Sequence, residues 1–301
     1  MMDIKIIEVG PRDGLQNEKK VIATADKYKF IKMLSEAGLT TIEVASFVRT
    51  DKIPQMKDAR ELCQQLFTDS SLKNLSLPCL VPNLKGLEKA SEAGVKEISV
   101  FTATSESFNQ KNINSSIDES LEKIGKVIDV AKASSIKVRG YISTVFGCPY
   151  DGETSVAVLL KIMDRLFNQG VYEIALGDTI GIGNPAQTKS ILKAVKNSFD
   201  LGKVAMHFHD TRGMALANAL TSLEMGINIF DSSAGGLGGC PYAKGATGNV
   251  ATEDLVYMFE AMGLNTGVDL DKLVAASKFM EQQIGRELSS KVYKVLSRGE
   301  K

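Results

Sequence analysis

The chain has 301 residues with 36 basic and 36 acidic side chains, so its formal charge is zero. A balanced charge gives no bulk electrostatic case for nucleic acid or an anionic membrane as partner, and no apolar run approaches the ~18 residues of a membrane span. The four cysteines, Cys63, Cys79, Cys148 and Cys240, have no C-x-x-C spacing, and reduced thiols in a cytoplasmic compartment are expected. Met1-Met2-Asp3 runs directly into an alternating strand, where no leader peptide is expected.

In chain order, one unit repeats. Ile4–Val9 is a predicted strand, and Ala25–Ala37 has helical spacing closed by Gly38. Thr41–Phe47 pairs with a helix over about Gln55–Phe67, Leu75–Val81 with Leu84–Ala93, and Glu97–Thr104 with Ile117–Ala133. Then follow Lys137–Phe146 with Ser155–Gln169, Tyr172–Asp178 with Pro185–Phe199, Val204–Asp210 with Met214–Met225, and Ile229–Ser233 with Thr252–Met262. Eight strand-helix units without a Pro/Gly-rich linker predict an α/β protein, a (β/α)8 TIM barrel in a single domain. Against a doubly wound sheet, the first turn, Gly10-Pro11-Arg12-Asp13-Gly14, is not a dinucleotide phosphate loop. The barrel is expected over 1–265 and a C-terminal helical extension over 266–301. In that extension the amphipathic stretch Asp269–Glu287 would pack on the barrel or on a second subunit, and a homodimer is expected.

A barrel directs function to the C-terminal ends of its strands and the loops after them. The polar groups there are Arg12, Asp13 and Gln16; Glu43 and Ser46; Arg139, Tyr141 and Ser143; Asp178 and Thr179; and His207, His209 and Asp210. His207 and His209 are the only histidines, two residues apart at the end of an apolar strand. Both imidazoles would point to one face, as half of a metal site or as a solvated polar pair. The run from Gly235 to Asn249 holds six glycines and one thiol, Cys240, and suits either a lid over the barrel mouth or a plain connector.

Five motifs carry a resemblance: EVGPRDGLQNE from Glu8, GCPY from Gly147, GDTIG from Gly177, HFHDT from His207, and GGLGGCPYAKGATGN from Gly235. In this order they resemble the hydroxymethylglutaryl-CoA lyases, over nearly the whole chain. The resemblance implies a divalent cation, magnesium or manganese, held by Asp13, His207, His209 and Asn249. It implies cleavage of 3-hydroxy-3-methylglutaryl-CoA to acetyl-CoA and acetoacetate, a step of leucine degradation and ketone body metabolism. In that reaction His207 or Asp13 would take the hydroxyl proton, Arg12 would hold the thioester oxygen as charge develops, and Cys240 would protonate the acetyl carbanion.

Glu43 would position the arginine or the proton relay, or merely pair with Arg12 as a buried carboxylate. Asp13 as a helix N-cap, and Gln16, Ser46, Tyr141 and Thr179 as satisfied core groups instead of substrate contacts, are the plainer readings. Lys19, Arg49, Lys52, Lys111 and Lys244 lie on predicted loops where coenzyme A phosphates would arrive. Two other functions stay open: a condensing enzyme of the same superfamily joining acetyl-CoA to a 2-oxo acid, and a non-catalytic barrel binding a metal and an acyl-CoA.

Overall fold

The computed structural model describes residues 3–239 and 248–299. Short β-branched and apolar runs form nine parallel strand segments: β1 (Lys5–Glu8), β2 (Thr41–Ile42), β3 (Ala45–Ser46), β4 (Cys79–Leu80), β5 (Glu97–Ala103), β6 (Lys137–Ser143), β7 (Ile174–Asp178), β8 (Val204–Phe208) and β9 (Ile229–Ser232). Their spatial order is β2-β1-β9-β8-β7-β6-β5-β4-β3. The two ends of that order are halves of one chain path: β2 pairs with β1, β3 pairs with β4, and only Glu43 and Val44 lie between. The Glu43 amide donates to the Glu8 carbonyl on one side, and the Val44 amide to the Pro78 carbonyl on the other. Eight strand paths therefore close on themselves as the sequence predicts.

The outer layer comprises α1 (Thr24–Glu36), α2 (Ala59–Thr68), α3 (Leu84–Glu92), α4 (Glu106–Ile113), α5 (Ile117–Ala133), α6 (Val156–Gln169), α7 (Pro185–Lys196), α8 (Ala215–Met225) and α9 (Thr252–Ala261). Local chemistry fixes several ends. Ser116 and Glu119 form a reciprocal capping box at the start of α5, and Gly170 ends α6 at φ +97, a left-handed conformation that favours glycine. The strand expected at Leu75–Val81 shrinks to two residues. Pro78 has no N–H to offer a ladder, and the preceding Ser76 meets Thr41 only through an isolated bridge. The sequence reading missed α4, whose helix buries only Phe108 and Asn109 and so carries almost no apolar period.

After the barrel come α10 (Leu270–Ile284) and α11 (Lys291–Leu296). Leu273, Ala276 and Met280 are fully buried on α10, the Asp269 amide donates to the Ala37 carbonyl, and Lys29 of α1 stands 4.5 Å over the Phe279 ring. In this chain α10 packs against α1.

Two apolar layers hold the barrel. The larger lies between sheet and helices, with Phe30, Leu34, Leu62, Ile128, Leu166 and Phe208 among its residues. The smaller lies inside the strands and comprises Ile7, Val9, Leu80, Tyr141, Ala175, Ala205 and Ile229. TIM-barrel interiors are ordinarily filled with branched aliphatic side chains. Here a column of ions shares that space: Lys5, Glu173, Arg139 and Asp231 are linked in series, and Asp231 reaches His207.

Candidate active site

The alternation of β8 turns Ala205 and His207 toward the barrel axis, and His209 follows just past the strand. Asp13 sits in the tight turn Gly10–Gly14 directly after β1, with its amide donating to the Val9 carbonyl. Asp13, His207 and His209 each offer a ligand atom within 4.8 Å of the others. Asn249 completes the group: an isolated bridge sets it beside His209, and its side-chain nitrogen donates to Asp13 Oδ2 at 2.8 Å. Residues from the two far ends of the chain thus become neighbours because the barrel closes.

Electrostatics suit this group to a cation. Burial pushes Asp13 upward, but Arg12 and then the two imidazoles outweigh it and hold the carboxyl well below the usual carboxylate range. Burial, reinforced by His207, pushes His209 down to about 4, leaving its ring neutral at pH 7. His209 Nδ1 is buried and lacks a hydrogen-bond partner. An ionised carboxylate beside two imidazoles is what a divalent ion requires, and a carboxylate, two imidazoles and an amide fit magnesium or manganese better than a thiolate-bound metal.

Arg12 projects from the same turn between two carboxylates. Its Nε and Nη2 both reach Glu43 Oε2 at 2.5 Å, and its Nη1 reaches Asp13 Oδ1 at 2.6 Å. Burial would weaken the cation, yet Glu43 and Asp13 overcome it and raise the guanidinium pKa further. Glu43 is fully buried, accepts from the Tyr141 hydroxyl at 3.3 Å, and keeps Oε1 without a partner. Tyr141 lies edge-on to His207 at 5.8 Å between ring centroids and beneath Arg12 at 5.6 Å. Its hydroxyl proton is held tightly, first by burial and then by the Glu43 charge.

Arg12, Asp13, Tyr141, His207 and His209 line a cavity of about 960 Å³ at the C-terminal mouth of the barrel, together with Gln16 and Thr179. Ser46 is buried outside that lining with an unpartnered hydroxyl, and Asp178 spends its carboxylate on the Ile182 and Gly183 amides, holding a loop. Arg49, Lys52 and Lys111 line the cavity and Lys19 does not. Cys240 and Lys244 lie outside the described residues. The flanks of their segment do not: Gly239 lines the cavity, and Gly248 packs against Gly238 and Gly239.

Two buried carboxylates fasten that region. Glu8 Oε1 accepts from the Gly10 amide at 2.7 Å and the Ala234 amide at 2.9 Å, while Oε2 accepts from the Thr252 hydroxyl at 2.7 Å. Glu253 accepts from the Gly235 amide and the Ser277 hydroxyl. Burial raises Glu8 to about 7 and Glu253 to about 8 despite those bonds.

The model of the HMGL-like family matches residues 3–280. The chain belongs to the HMGL-like family. It is 52% identical over 289 residues to the mitochondrial hydroxymethylglutaryl-CoA lyase of Gallus gallus, covering 96% of each chain. Among solved structures it superposes on the HMG-CoA lyase of Bacillus subtilis with a TM-score of 0.95 at 47% identity, covering 98% of each chain. An HMG-CoA lyase from Acinetobacter baumannii, solved with coenzyme A and 3-methylmalate, gives a TM-score of 0.91 at 34% identity, covering 97% of this chain and 95% of that one. For an HMGL-like protein the sequence reading passed over three charged residues. Glu8 is hidden inside the motif EVGPRDGLQNE, and Glu173 and Asp231 each sit in or beside an apolar strand. The one visible signal of Glu173 and Asp231 is a carboxylate at an inward-facing position in or beside a strand, where a barrel has no solvent to receive it.

Proposed function

We propose that the chain cleaves 3-hydroxy-3-methylglutaryl-CoA into acetyl-CoA and acetoacetate by a retro-Claisen, aldol-type fragmentation. The observation that carries the reading is Arg12, braced between Glu43 and Asp13, at the edge of a cation site built from Asp13, His207, His209 and Asn249. The family membership supports the same reading over a condensing enzyme or a non-catalytic barrel. Residues 1–265 form the catalytic barrel in this reading, and 266–301 its extension.

Three tasks follow from the chemistry. The C3 hydroxyl loses its proton, the C2–C3 bond breaks with its electron pair left on C2, and C2 is protonated to give acetyl-CoA. A magnesium or manganese ion on the four ligands would supply Lewis acidity for the hydroxyl. Asp13, held far below the ordinary carboxylate range, is a poor proton acceptor, so we assign the hydroxyl proton to His207, whose Nε2 lies 4.0 Å from Asp13 Oδ2. Asp13, His209 and Asn249 would hold the ion beside it. Arg12, always cationic, faces the thioester oxygen as the enolate forms. Three of its N–H groups are engaged by carboxylates, leaving two for the substrate. Glu43 and Tyr141 hold that guanidinium still. Cys240 is assigned the proton delivered to C2.

A homodimer in the cytoplasm is part of this reading. Among the described residues no helix is long and apolar enough to cross a membrane. Relatives carry both compartment names, mitochondrial in Gallus gallus and cytoplasmic in Rattus norvegicus. Purified protein given hydroxymethylglutaryl-CoA and magnesium or manganese should release acetoacetate and acetyl-CoA in equal amounts. Absence of both products with either ion would overturn the assignment.

A further inference from the structure

The ion column inside the barrel ends on a ring nitrogen of the active site. Asp231, on β9, lies beside His207 in the parallel ladder and faces the same interior. Its Oδ2 is 3.2 Å from His207 Nδ1, and the same carboxylate is gripped from below by Arg139, Nη2 to Oδ1 at 2.7 Å and Nη1 to Oδ2 at 3.1 Å. Arg139 is in turn held by Glu173 at 2.6 Å, and Glu173 by Lys5 at 2.9 Å. Arg139 and Asp231 are at most 2% exposed. Water therefore cannot replace either partner of the Arg139–Asp231 pair.

We propose that Asp231 is a positioning residue: by accepting the Nδ1 proton of His207 it fixes that ring's tautomer and rotation, so that the Nε2 lone pair is presented to the cation site. The reasoning is one of exclusion. Both Asp231 oxygens accept from the buried Arg139 guanidinium, and a carboxylate paired in that two-point way carries no proton of its own, so its oxygens only accept. A neutral imidazole bonded to it must be protonated on Nδ1, which leaves Nε2 unprotonated on the side where Asp13 stands. His209 has no such support, because its own Nδ1 is without a partner. The two histidines are thus unequal: the fold orients one and leaves the other to be oriented by what it binds.

The inference rests on the cation reading above, and its tests separate the two. The wild-type 301-residue chain has two histidines, so 15N-histidine spectra of the metal-free protein contain two rings, assigned with His209→Gln. The expected result is His207 protonated on Nδ1 and bare on Nε2; an Nε2–H tautomer overturns the proposal, whatever the enzyme's activity. Second, Mn2+ alone is titrated into wild type, Asp231→Asn and Glu173→Gln, with affinities normalised to folded protein. Asparagine offers one acceptor oxygen where three donors converge, so Asp231→Asn should weaken Mn2+ binding by about 10–100-fold. Glu173→Gln loosens Arg139 without touching His207 and should leave Mn2+ affinity within about twofold while lowering the melting temperature. Equal weakening in both variants would mean general core damage and would sink the positioning role. Should Asp231→Asn fail to fold, the wild-type tautomer still decides, and a wild type that ignores Mn2+ counts against the cation reading alone.

Discussion

Arg12 shows how much of the chemistry is decided by one side chain's geometry. Its guanidinium spans the Glu43 and Asp13 carboxylates and still faces the cavity, which a single ammonium point cannot do. Arg12→Lys keeps the charge and so should keep the fold and most of the Mn2+ affinity. Its kcat for acetoacetate release should fall by about 10²–10³-fold, the usual cost of losing a preorganised donor to a developing oxyanion. A kcat within about threefold of wild type would show that the arginine binds without stabilising the enolate. Cys240 and His207 separate by a different pair of readouts. Cys240→Ala should spare Mn2+ binding and lose about 10²–10⁴-fold in kcat, the range for a missing general acid. His207→Ala should weaken both the Mn2+ affinity and the turnover. Full activity in Cys240→Ala would move the protonation of C2 to another group.

At the scale of elements, the stem of the glycine-rich run is tied down by acids that prefer to be neutral. A carboxylate whose folded pKa is raised stabilises the protein fully below its unfolded pKa and loses that contribution as pH rises through the folded value. For Glu8 the window runs from the ordinary 4.5 to about 7, and for Glu253 from 4.5 to about 8. His209 has the opposite sign: its depressed value adds stability that is complete above 6.5 and is lost toward about 4. Below pH 6.5 the two trends oppose, and above it only the acids act. The melting temperature measured in metal-free buffer should therefore fall between pH 6.5 and 8.5, by a few kcal/mol of stability in order of magnitude. Glu8→Gln with Glu253→Gln should flatten that limb. The same elements show what sequence could reveal. Barrel strands with a buried face and helices with glycine stops announce themselves by period, as Ile117–Ala133 does, which the helix α5 matches end to end. The split of one strand path at Glu43–Val44 does not, because it depends on which neighbour claims each amide. Nor does Asp231, since a carboxylate's partner 92 residues away leaves no trace in its own stretch.

On the scale of the whole molecule, neutrality conceals a polarity. The 36 positive and 36 negative charges cancel, yet Arg49, Lys52, Lys111 and Lys123 gather around the cavity mouth. An adjoining groove of about 690 Å³ adds Lys85, Lys89 and Lys126. Loops, where the sequence reading looked for such charges, supply only part of the set; Lys111 and Lys123 stand on α4 and α5. A coenzyme A thioester carries phosphates far from the reacting carbon, so attraction at the mouth acts on capture and not on bond cleavage. Screening tests this, because the Debye length shrinks from about 10 Å at 0.1 M salt to about 3 Å at 1 M. KM for hydroxymethylglutaryl-CoA should rise by about tenfold as a non-chelating salt is raised from about 0.05 to about 0.5 M, while kcat at constant free magnesium stays level. A hydroxymethylglutaryl thioester of a carrier without phosphates should show a high KM that salt does not move. If the two thioesters respond alike, the effect belongs to the cation site or the fold, and the basic mouth has no part in capture.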